Sequence, residues 1–156
     1  MLAMVVASAL ASSALAAAYT YVNDRFGTSV TFPMEIFAFA LPAPDNGDGQ
    51  AWESVDGARL TVFGSYNVLE QTPQSLVDTA GEGKGPDFDL TYGKAGSNWA
   101  VLSGTEGGMV FYQRYEFGAR RGGIDTIHAV LLRYPRELKS KYDPLAGPIA
   151  ASLDGP

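Results

Sequence analysis

The sequence contains no cysteine. That absence excludes a disulfide scaffold, a thiolate metal site, a cysteine nucleophile and a lipid-anchoring cysteine. Histidine is almost as scarce, with His128 alone, and the usual zinc constellations go with it. Positive charge is in deficit as well. Eleven Lys and Arg against 17 Asp and Glu leave a net charge of −6, which argues against a nucleic-acid partner. No serine sits in a G-x-S-x-G elbow. No apolar run is a good membrane span, because the one at the N-terminus is short and rich in Ala and Ser.

What is present is a chain of 156 residues with 18 Gly and 9 Pro. This is the size of one domain and the composition of a turn-rich β or α+β protein. Residues 1–17, MLAMVVASALASSALAA, carry no charge and end in overlapping A-x-A sites. They read as a secretory signal peptide, cleaved after Ala16 or Ala18, although no Lys or Arg precedes the apolar stretch. The expected organisation is therefore a signal peptide over 1–18 and a single domain over 19–156, periplasmic or secreted, with no membrane span left after cleavage. Charge is uneven within the domain. Residues 35–90 hold ten acids and two bases, whereas residues 107–156 hold seven bases and five acids.

Alternation predicts strands over 19–22 and 28–32 around Asn23-Asp24-Arg25, with Phe26, Thr28, Val30 and Phe32 on one face. Residues 34–40 read as a short strand or packed connection before two prolines. Strands over 50–54 and 58–64 flank the hairpin signal Asp56-Gly57. Thr72-Pro73 predicts an N-cap and first helical position, with a short helix over 73–80 stopped by Gly81. Strands follow over 88–92, 99–103, 109–117 and 124–134, the last two separated by a loop over 118–123. Pro135 opens a polar helical stretch, PRELKSKY, and Asp143-Pro144 predicts the start of a C-terminal helix whose stripe is Leu145, Ile149 and Leu153, disturbed by Pro148. The sum is α+β: an antiparallel sheet of six to eight strands with two or three helices packed on one face.

Candidate motifs mostly fail. DNGDG at 45–49 aligns with a calcium loop only if Pro44 and Val55 take its two key carboxylate positions. GEGKG at 81–85 lacks the hydroxyl residue a phosphate loop needs after Lys84. His128 lies in an apolar run and reads as a partly buried, hydrogen-bonded core residue. Glu53 with Asp56, and Asp87 with Asp89, are acid pairs without an evident cleft. No catalytic residue, metal ligand or cofactor is expected. The richer signal is aromatic: 8 Tyr, 8 Phe and 2 Trp. Aromatic side chains with arginines at the rim suit a recognition surface. The candidate contact residues are Trp52, Tyr66, Arg120 and Arg121. An apolar carrier cavity lined by Phe37 and Phe39, or a carboxylate hydrolase, are the alternatives.

The opening YVNDRFGTSVTFP resembles the first hairpin of the Mog1/PsbP-like α+β domains. More broadly, FGTSVTFP, DNGDGQAWESVDGARLTVFGSYN, NWAVLSG, VFYQRY and RYP resemble elements of small exported proteins of proteobacteria. The resemblance covers roughly residues 19–153. It implies an α+β domain that acts by non-enzymatic association, with an envelope protein as the possible partner. It implies no particular site residue, because fold analogy alone carries no function.

Overall fold

The computed structural model describes residues 17–156, except the side chains of residues 119–121. The expected signal peptide therefore lies outside the described residues, but for its last two positions. The chain forms strands β1 (Ala18–Val22), β2 (Ser29–Pro33), β3 (Phe39–Ala40), β4 (Gly49–Glu53) and β5 (Arg59–Tyr66), then helix α1 (Pro73–Asp78). Strands β6 (Asp89–Ala95), β7 (Trp99–Glu106), β8 (Met109–Arg121) and β9 (Ile124–Pro135) follow, then a 3₁₀ turn and helix α2 (Lys139–Ala151).

The main sheet is antiparallel and seven-stranded, in the order β3-β4-β5-β9-β8-β7-β6. Two meanders thus meet through β5 and β9, paired from Arg59↔Arg133 to Tyr66↔Thr126. The β1–β2 hairpin is a separate two-stranded sheet. Asn23 shapes its turn by accepting from Phe26 N at 2.8 Å and donating its own N–H to Thr28 O at 2.8 Å. The shared face expected of Phe26, Thr28, Val30 and Phe32 is fully buried.

That hairpin and α2 together cover one face of the main sheet. Beneath them lie Leu60, Val62, Val110, Val130, Leu132 and Tyr134. Phe32 packs on Trp52 with ring centroids 4.7 Å apart, and Tyr142 of α2 stacks on Tyr134 at 5.2 Å. Each large side chain fully buried here contributes roughly 1.5–3 kcal/mol. The short helix α1 rests on the opposite face. A methyl group on Gly93 would meet Val77 Cγ1 at 2.9 Å, and Gly93 pairs with Leu102 on the side facing away from Val130. The class and sheet size match the expectation, with the helices divided between the two faces.

Two local expectations are corrected. The loop expected over 118–123 is largely strand: β8 runs on to Arg121, past a register irregularity after Gly118. The turn itself is Gly122-Gly123, at φ +57° and +89°, left-handed angles that glycine adopts without a Cβ clash. In addition, Asp143 does not cap a new helix. α2 starts at Lys139 and passes through Pro144 and Pro148. Each proline removes one helical hydrogen bond. Burial of Tyr142, Ala146, Ile149 and Ala150 outweighs the loss. Asp143 instead accepts a 2.6 Å bond from the Tyr134 hydroxyl.

Candidate functional site

The structure separates the four candidate contact residues. Trp52 is corrected to a core residue: it is 3% exposed, with the Tyr21 ring edge-on at 5.0 Å. β4 turns it toward the β1–β2 hairpin, so it presents no free surface. Tyr66, 40% exposed, ends β5. Backbone pairing brings Tyr66 beside Thr126, Thr126 beside Gly118, and Arg121 beside Ile124. Tyr66 and the Arg120-Arg121 segment therefore share one end of the sheet.

This end is built from the loop over 67–72 and the β8–β9 turn. The Asn67 side chain closes the loop, accepting from Gln71 N and donating to Gln71 O, both at 2.8 Å. Asn67 N donates to Asp125 O at 2.7 Å, which fastens the loop to β9. Thr72 then caps α1 as expected, with Ser75 returning the bond: Ser75 N donates to Thr72 Oγ1 at 3.1 Å and Thr72 N to Ser75 Oγ at 2.9 Å. Glu70 has φ +51°, the one non-glycine residue in the left-handed region among the described residues. The conformation costs about 1–2 kcal/mol, so the surrounding bonds hold a shape the chain does not favour locally.

The loop turns apolar side chains outward. Val68 is 70% exposed, Leu69 77% and Ile124 42%. Val68 and Ile124 border an open cleft of about 500 Å³, also lined by Asn67, Glu70, Thr72 and Asp125. The Tyr66 ring is fixed edge-on to Phe26 at 5.1 Å, with the Arg25 guanidinium 5.9 Å above it. A rigid aromatic flanked by aliphatics buries area at small entropic cost when a partner covers it. Sequence reasoning missed Val68, Leu69 and Ile124. The available signal was an aliphatic pair stranded between a strand end and a helix cap.

The other candidates resolve into structural roles. His128 is fully buried, bonded to Thr28 Oγ1 at 2.7 Å and Pro156 O at 3.2 Å. Asp56 accepts from Ser54 Oγ at 2.7 Å, from Lys141 Nζ at 2.5 Å and from the Tyr142 hydroxyl. The Lys141, Tyr142 and Ser54 bonds hold its carboxyl well below the usual carboxylate range, whereas a general acid needs the opposite shift. In the DNGDG turn, Asn46 spends its side chain on Asp48, accepting from the backbone N–H at 3.3 Å and donating to the carboxylate at 2.8 Å. Phe37 is buried in the core while Phe39 is 54% exposed, so the two do not face one cavity.

No family model matches the chain, and the comparison with curated proteins gives no match. Among solved structures, the solution structure of cyanobacterial PsbP (CyanoP) from Synechocystis sp. PCC 6803 superposes with a TM-score of 0.63. It is 13% identical, and the match covers 95% of this chain and 98% of that one. The fold is PsbP-like. LpqN of Mycobacterium tuberculosis, described as involved in cell envelope biogenesis, matches at a TM-score of 0.42 and 12% identity, over 88% of this chain and 82% of that one. At 13% identity the similarity carries the architecture alone.

Proposed function

We propose that this chain is a non-catalytic accessory domain, periplasmic or secreted, that binds an envelope protein through the Tyr66–Ile124 end of its sheet. The observation that carries the reading is the exposure of Val68 and Leu69 on a loop held by Asn67 and fastened to β9, between exposed Tyr66 at the end of β5 and exposed Ile124 at the start of β9. Such a patch fits an interface core of aromatic and aliphatic anchors with a polar rim. Arg120 and Arg121, at the adjoining end of β8, are proposed as rim residues that steer docking. The leader-like residues 1–18 support an extracytoplasmic location.

The test is capture from native envelope extract with the chain beginning at Tyr19. A stoichiometric partner that is lost with Leu69→Asp and with Tyr66→Ala supports the reading. A partner retained by both variants, or no partner at all, overturns it. The hydrolase alternative has one observation behind it, the presence of Glu70 and Asp125 on the same cleft. Turnover of an envelope-derived ester or glycoside that Glu70→Gln abolishes would favour it instead.

A further inference from the structure

Arg59 of β5 and Arg133 of β9 are direct cross-strand partners. They stand on the sheet face opposite α2, because the alternate positions Leu60 and Leu132 lie in the core under α2. Like charges at directly opposed positions repel. Each arginine has only a loose counter-charge: Glu53 lies 3.8 Å from Arg59, and Glu106 lies 3.7 Å from Arg133. Both side chains remain about half exposed, at 52% and 44%. Two guanidinium forks therefore stand side by side on one sheet face, with N–H donors left for an anion.

Beside Arg59 runs an apolar trough of about 430 Å³. Its floor follows β5 over Thr61 to Phe63, with Ala51 of β4 alongside, and Pro42 and Pro44 form a wall. From Arg59 to Phe63 the strand advances roughly 13 Å. The trough offers a peptide few main-chain partners. Proline has no N–H, Leu41 N is already bonded to Ala51 O at 2.9 Å, and the Gln50 amide donates to Leu41 O at 2.6 Å. An apolar chain needs no such partners.

We propose that this face binds a linear amphipathic monocarboxylate, its carboxylate held between Arg59 and Arg133 and its alkyl chain lying along Thr61 toward Phe63. The carboxylate offers the two forks shorter, charge-assisted bonds than their contacts of 3.8 Å to Glu53 and 3.7 Å to Glu106, and the chain covers the trough floor. Arg59 and the docking patch at Tyr66 lie at opposite ends of β5, so the two surfaces can be occupied independently.

The probe is decanoate, followed by backbone amide NMR shifts and calorimetry, with decanol and an apolar peptide bearing a free C-terminal carboxylate as comparisons. The expected result is decanoate binding that shifts amides of 49–51, 59–63 and 131–133. Affinity falls about tenfold in Arg59→Gln and about tenfold in Arg133→Gln, and decanol binds at least tenfold more weakly than decanoate to the unaltered chain. The decanol comparison needs no substitution, so it stands even if a variant fails to fold. Equal binding of decanol, shifts confined to other residues, binding of the peptide in place of decanoate, or no binding each overturns the proposal.

Discussion

The phenol of Tyr142 donates to the carboxylate of Asp56, 86 residues away in sequence. This bond, with that from Lys141, fastens α2 to the turn between β4 and β5. Asp56→Ala removes an acceptor serving three donors, and it should lower stability by about 2 kcal/mol. Because the folded state depresses the Asp56 pKa, its contribution is complete above the unfolded value near pH 4 and is lost as pH falls toward the lower folded value. Thermal unfolding followed from pH 7 to pH 2 should show a shallower acid slope in Asp56→Asn than in the unaltered chain. Identical slopes would remove Asp56 from the acid response.

Trp52 tests the division between core and surface. Trp52→Ala should cost about 3–5 kcal/mol through the cavity it leaves, measured by denaturant unfolding. Trp52→Phe should fold and still capture the same partner. Loss of capture by a folded Trp52→Phe variant would return this residue to the interface.

Glu70 tests the strained loop. Glu70→Gly replaces a left-handed non-glycine residue, so strain relief offsets the entropic cost and stability should change by less than about 0.5 kcal/mol. Glu70→Val should lose at least about 1 kcal/mol, because a branched Cβ fits that region worst. Equal melting temperatures for the two variants would contradict the assigned strain.

Tyr115 tests burial on the sheet face opposite α2. Burial pushes its hydroxyl up to about 12, and that hydroxyl donates to Gln113 Oε1 at 3.0 Å. Its contribution to stability is present below the unfolded value near 10 and is lost as pH rises through about 12. A phenolate absorbance titration should show a late-titrating component that shrinks in Tyr115→Phe. An unchanged late component would contradict it.

The parts legible in the sequence are those set by neighbours along the chain. Thr72, Pro73 and Ser75 define a helix start within four positions, and Asn23 with Gly27 defines a turn within five. Strand period decides the burial of Val30 and Phe32 in β2, and the turn that Asn23 shapes carries Phe26 and Thr28 onto the same face. Trp52 was not legible, since its burial depends on which face of β4 the β1–β2 hairpin covers. The placing of Tyr66 at the same end of the sheet as the β8–β9 turn was hidden for the same reason: it needs β5 to pair with β9 across α1 and three intervening strands. The path of α2 through Pro144 and Pro148 is set by tertiary burial, which outweighs local propensity.

The pairing of β5 with β9 also determines how the molecule can be divided. A backbone cut in the exposed loop over 81–87 leaves β1–β5 with α1 on one fragment and β6–β9 with α2 on the other. Neither fragment holds both sides of the central ladder, so each carries one of its two zippering edges. Mixed in solution, the two fragments should reassemble through that ladder, which a native-like circular dichroism spectrum absent from either fragment alone would show. Such reassociation would make the two fragments a split pair that reports the proximity of anything fused to the two new ends.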